Sequence, residues 1–105
     1  SWPWAIYTSA DAELARVRLA AAGVTPPVLV TRDQVAEGKP APDGYLRAAD
    51  LLNIPADGCI VIEDTDVGVA AGRAAGMRTV GVRGATGDLP VHSISELHRW
   101  LDASN

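Results

Sequence analysis

Short, continuously apolar segments alternate with helix-patterned ones along the whole chain, and that alternation admits few folds. A sandwich requires strand after strand, and a bundle lacks β-rich runs. The pattern predicts an α/β fold: a Rossmann-like parallel sheet with helices on both faces. Segments 4–7, 28–30, 59–62 and 79–82 are the strand candidates, apolar throughout as strands buried on both faces are. Helices are expected over 11–22, 43–52 and 67–75. A last helix opens at Ser93-Ile94-Ser95-Glu96, which has capping-box spacing, and continues through Leu97, Trp100 and Leu101.

The core stripes expected on the first two helices are Leu14, Val17, Leu19 and Ala21, then Tyr45, Leu46, Ala49 and Leu52. Gly23 stands where a left-handed cap is wanted, and Asn53 with Pro55 stops the second helix. A turn of helix is expected over 33–36. The stretch 38–43 must be irregular, because Pro40 and Pro42 each remove a donor and restrict the preceding residue. Val91 is expected in a short edge strand. Gly68, Gly72 and Gly76 recur every four residues, which lets a helix backbone approach a sheet at a propensity cost of about 1 kcal/mol per interior glycine. A lipid-embedded dimer face is the other reading of that spacing, but this helix is too short and too polar at its start.

With 105 residues, 48% hydrophobic and 21% charged, the chain fits one small globular domain over 1–105 and excludes disorder and collagen. No apolar run approaches the ~20 residues of a membrane span, and the start lacks a signal-peptide pattern, so a soluble, unprocessed chain is expected, with no membrane partner. A net charge of −4 repels nucleic-acid backbones and argues against such partners. The lone Cys59 reads as a small buried hydrophobe in a reducing cytoplasm.

In a parallel sheet, ligands bind where strands end. Three polar sets follow predicted strands. Thr8 and Ser9 offer hydroxyls and backbone amides suited to an anionic oxygen, or serve as a helix cap. Lys39, between Gly38 and Pro40, is an ammonium on a stiff backbone, suited to a phosphate or merely solvated. Glu63 and Asp64 are adjacent carboxylates that repel unless a cation sits near, and magnesium is a natural partner; alternatively Asp64 or Asp66 caps the next helix. Their coincidence at successive strand ends reads as a phosphate-plus-magnesium site. His92 is expected in a loop and His98 in solvent.

These residues resemble the haloacid dehalogenase superfamily, in particular its sugar-phosphate phosphatases, phosphoglycolate phosphatases and beta-phosphoglucomutase-like members. Ala5-Ile6-Tyr7-Thr8-Ser9 resembles the second family motif and Gly38-Lys39-Pro40-Ala41-Pro42-Asp43-Gly44-Tyr45 the third. Ile60-Val61-Ile62-Glu63-Asp64-Thr65, with Val67-Gly68-Val69 and Ala74-Ala75-Gly76-Met77, resembles the fourth. The resemblance runs from Trp4 to about Val82. It implies that Thr8 and the Ser9 amide hold a phosphoryl group, that Lys39 offsets its charge, and that Asp64 with Glu63 holds Mg2+. Lys39 and Thr8 are then the catalytic candidates, and a small phosphorylated metabolite is the expected partner.

The family's first motif, which supplies a nucleophilic aspartate, has no counterpart here: seven residues precede Thr8 and none is acidic. The cap domain lying between the first and second motifs is likewise unmatched. The expectation is therefore the C-terminal core of a Mg2+-dependent phosphomonoesterase, inactive or nearly so alone. A non-catalytic phosphate-binding or assembly module and a phosphoglucomutase-like phosphotransferase fragment are the alternatives. A signalling receiver is disfavoured, since it places its acidic pair first and its lysine last. In the family the first-motif strand lies between the strands at 4–7 and 59–62. Without it a lane opens in the sheet, to be filled by an N-terminal segment, by another chain through self-association, or by direct pairing of the flanking strands.

Overall fold

The computed structural model describes residues 2–104. Four helices and four short strands follow one another as β1 (Ile6–Tyr7), α1 (Ala12–Ala22), β2 (Leu29–Val30), α2 (Asp43–Leu52), β3 (Ile60–Glu63), α3 (Asp66–Ala74), β4 (Arg78–Gly81) and α4 (Ile94–Ser104). Single 3-10 turns occupy Arg32–Gln34 and Ala56–Gly58. The strands pair in parallel, β1 with β2 and β3 with β4, in two separate two-stranded sheets. The fold is the α/β class that the alternation implies.

Register places helices on both faces of the second sheet. Val61 lies opposite Thr79, and both meet Gly72 of α3, where an added Cβ would stand 3.1 Å from Val61 and 3.0 Å from Thr79. Val80, on the alternate face, clusters with Val91 and Leu97, and with Ile60 and Trp100 beside them, so α4 covers that side. Ala49 of α2 joins Val61, Ala75 and Met77 in a second cluster, and Tyr7, Val30 and Ala48 form a third. Gly68 and Gly72 are thus close-approach glycines. Gly76 instead takes a φ of +79° and ends α3.

Several expectations are corrected. Leu14 and Val17 are 41% and 57% exposed and Ala21 is exposed too, because α1 turns inward the i,i+4 pair of Ala15 and Leu19, of which the expected stripe held only Leu19. Leu46 is exposed, and Ala48 takes its place in the core: Gly44 and Ala48 are the small residues that let α2 lie on the Tyr7 ring. Val91 is buried in a loop rather than a strand. Cys59 is only half-buried, its thiol donating to the Pro55 carbonyl at 3.5 Å. Direct pairing of the strands flanking the lane does not occur among the described residues, since β1 pairs only with β2 and β3 only with β4.

The outer edge of β4 is covered by its own chain. Leu89 N–H donates to the Thr79 carbonyl at 3.0 Å, and the loop backbone at Ala85 and Gly87 runs so close to Gly81 that a Cβ there has no room. Asp88 ties the loop down: it bonds the buried Thr79 hydroxyl at 3.0 Å and Arg73 of α3 at 2.9 Å.

Candidate functional site

The turn after β1 is held from three directions. Thr8 N–H donates to the Val30 carbonyl, Arg32 N–H to the Ala10 carbonyl, both at 3.0 Å, and Ala12 N–H to Asp33 Oδ1 at 3.1 Å. Asp33 also accepts from the buried Thr31 hydroxyl at 2.6 Å, which is the main reason its carboxyl lies below the usual range. Thr8 closes the turn by accepting from Ala10 N–H at 3.2 Å. The cap of α1 is Asp11, whose carboxylate accepts from Leu14 N–H at 2.9 Å. Thr8 and Ser9 are therefore not spent on capping. Ser9 is exposed, and no hydrogen bond engages its N–H among the described residues.

The same holds after β3. Thr65, not Asp64 or Asp66, caps α3, accepting from Gly68 N–H at 3.1 Å. Asp64 is exposed at the rim. Glu63, the last residue of β3, points inward and is 8% exposed. Its carboxylate lies over Gly68, where a Cβ would collide with it.

Lys39, which precedes Pro40 across a cis peptide bond, reaches Glu63 Oε2 at 2.6 Å. The pair is largely out of water, with exposures of 14% for Lys39 and 8% for Glu63. The ammonium also lies 4.9 Å from the Tyr7 ring centroid and 5.6 Å from that of Tyr45, within cation–π range. The two rings meet edge to face, 5.1 Å apart at 85°.

Sequence reasoning placed Tyr45 in a core stripe and missed its second role. Its hydroxyl donates to Glu63 Oε2, the oxygen that Lys39 holds. Burial, and then the hydrogen bond to Glu63, push the phenol far above its ordinary value, so Tyr45 acts only as a donor. The available signal was chemical: a tyrosine hydroxyl carried into a core by an apolar stripe needs a polar partner. The buried Tyr7 hydroxyl makes no side-chain hydrogen bond among the described residues and meets only the Lys39 backbone, and its ionisation is raised, chiefly by burial.

Thr8, Ser9, Lys39, Glu63 and Asp64 all line one cavity of about 1370 Å³ between the two sheets. As donors, Glu63 and Asp64 offer hard carboxylate oxygens at one strand end, and no described hydrogen bond engages Glu63 Oε1. No group of three or more metal-binding side chains is found among the described residues. Glu63 and Asp64 are the residues that would hold a magnesium ion here, an ion that takes a few carboxylate oxygens and completes its shell with water and phosphate. His92 sits in a loop and His98 is exposed beside Asp102 at 3.6 Å; neither lines the cavity.

Comparison with known proteins gives the same family as the motifs. The chain is 40% identical to Hexitol phosphatase A of Escherichia coli over 90% of its own length and 48% of that protein. It is 39% identical to Fructose-1-phosphate phosphatase YqaB of the same organism, over 77% of the chain and 44% of the relative. The chain spans about half the length of these curated relatives. Among solved structures, a HAD family hydrolase from Deinococcus radiodurans with bound phosphate and sodium superposes with a TM-score of 0.83 at 30% identity, over 97% of this chain and 52% of that one. A hydrolase from Pseudomonas syringae gives 0.72 at 35% identity, over 91% and 44%. The family model for haloacid dehalogenase-like hydrolases matches residues 1–76, and the chain belongs to that family.

Proposed function

We propose that this chain carries the phosphate- and magnesium-binding part of a sugar-phosphate phosphatase. The observation that supports this most is the Lys39–Glu63 pair at 2.6 Å on the open cleft that Thr8, Ser9 and Asp64 also line, while Asp11 and Thr65 do the capping. The Thr8 hydroxyl and Ser9 N–H take phosphoryl oxygens. Lys39, fixed between two aromatic rings and Glu63, supplies positive charge beside them. Asp64 and Glu63 hold Mg2+, which when bound neutralises charge on the transferring phosphoryl group. The structural neighbour that holds phosphate is consistent with an anion at this rim.

The substrate is a small phosphorylated metabolite in the cytoplasm rather than a nucleic acid, in keeping with the net charge of −4 and the free Cys59. Phosphatase is the first reading because curated relatives that match 90% and 77% of the chain are named phosphatases; phosphotransferase is the second, since a putative beta-phosphoglucomutase from Thermotoga maritima superposes over 93% of the chain. Thr8, Ser9, Lys39, Glu63 and Asp64 supply binding and charge neutralisation and no attacking group, so the assayed chain binds phosphate without turning it over. The test is an assay with hexose phosphates, phosphoglycolate and p-nitrophenyl phosphate in magnesium buffer, beside calorimetry with inorganic phosphate. Binding without turnover is expected. Turnover abolished by Asp64→Asn would refute the inactivity, and absence of phosphate binding would leave only an assembly role.

A further inference from the structure

We infer that Tyr45 is a positioning residue for Glu63: its hydroxyl shares Oε2 with the Lys39 ammonium, leaving Oε1 as the oxygen that meets a cation. This rests on the magnesium reading and deepens it. A carboxylate on a three-bond stem presents either oxygen unless something distinguishes them. Here two donors meet on Oε2, Gly68 supports the carboxyl from below, and no described hydrogen bond engages Oε1.

Packing alone does not account for the hydroxyl. Tyr7 supplies an internal comparison, because it belongs to the same aromatic pair and its buried hydroxyl makes no hydrogen bond to Glu63. A phenylalanine at 45 would fill the same space and keep the edge-to-face contact. What it would lose is the donor that fixes Glu63. Partners of this kind, one step behind a metal ligand, typically set metal affinity by about 10–100-fold.

Magnesium titration of this chain by calorimetry tests the inference. Tyr45→Phe should weaken Mg2+ binding on the order of tenfold, while Val91→Ala, a core truncation away from Glu63 and outside the cleft, should lower stability and bind as the unaltered chain does. A tyrosine that merely packs would change the unfolding midpoint and leave the affinity of the folded protein alone. Equal affinity in Tyr45→Phe, or equal weakening in both variants, would overturn the role of Tyr45 with the magnesium reading intact. If the unaltered chain takes up no Mg2+, that reading falls and this inference with it. A second measurement avoids substitution at Tyr45. The chain has two tyrosines, so 3-fluorotyrosine labelling gives two fluorine resonances, assigned with Tyr7→Phe. The Tyr45 resonance should move with the calorimetric midpoint; a resonance unmoved at saturating Mg2+ would overturn the inference.

Discussion

Glu63 is the residue on which the charges of the rim depend, and its neighbours are not interchangeable. Removing Lys39 leaves a buried carboxylate without its cation, a loss that costs about 3–5 kcal/mol in comparable pairs. Lys39→Met should therefore lower the free energy of urea unfolding by an amount in that range, although the stem that packs on Tyr7 and Tyr45 is kept. Tyr7→Phe should do the opposite or nothing. It deletes a buried hydroxyl that makes no side-chain hydrogen bond among the described residues, so the same measurement should give a stability unchanged or raised by about 1 kcal/mol. A substantial loss in Tyr7→Phe would mean that the hydroxyl has a partner in solution.

At the scale of elements, the loop after β4 is fastened by Asp88 to Thr79 and Arg73. These two donors, Arg73 first, hold the Asp88 carboxyl below the usual carboxylate range. A carboxylate whose folded value is depressed contributes stability above its unfolded value, near 4, and loses it as pH falls through the folded value. Lowering the pH below the carboxylate range should release the loop and speed its amide exchange, and Asp88→Asn at neutral pH should speed tryptic cleavage at the exposed Arg83, while amide exchange in β3 changes less. Cleavage at an unchanged rate would show that backbone bonds alone hold the loop. The limits of α2 and the stop after α3 were readable because Pro42, Asn53 and Gly76 are local signals that tertiary contacts rarely override, whereas β3 runs one residue beyond the expected 59–62 and takes in Glu63. The inward face of α1 was not readable. Its apolar positions surround the helix, so the sequence pattern did not single out Ala15 as its one buried residue. Within the site, Lys39, Glu63 and Asp64 were legible from residue type and position after a strand. Tyr45 was not, because a helical apolar period says nothing about where a hydroxyl points.

For the whole molecule, the main feature is the lane between two sheets that do not pair with each other. Ile62, Trp2, Trp4 and Ile94 are exposed along it, and the cavity they line is continuous with the polar rim. Open strand edges beside apolar surface favour association. Sedimentation should show a mass that rises with protein concentration, together with binding of a hydrophobic dye by the native chain; a strict monomer that ignores the dye would mean the lane closes in solution. The most direct test of the rim itself is an amide chemical-shift map recorded as inorganic phosphate and Mg2+ are added together. Ser9, Lys39 and Asp64 should move with one shared midpoint while Glu13 and Arg16 on α1 stay still. Shifts spread over unrelated faces, or none at these three residues, would contradict a common phosphate and magnesium site.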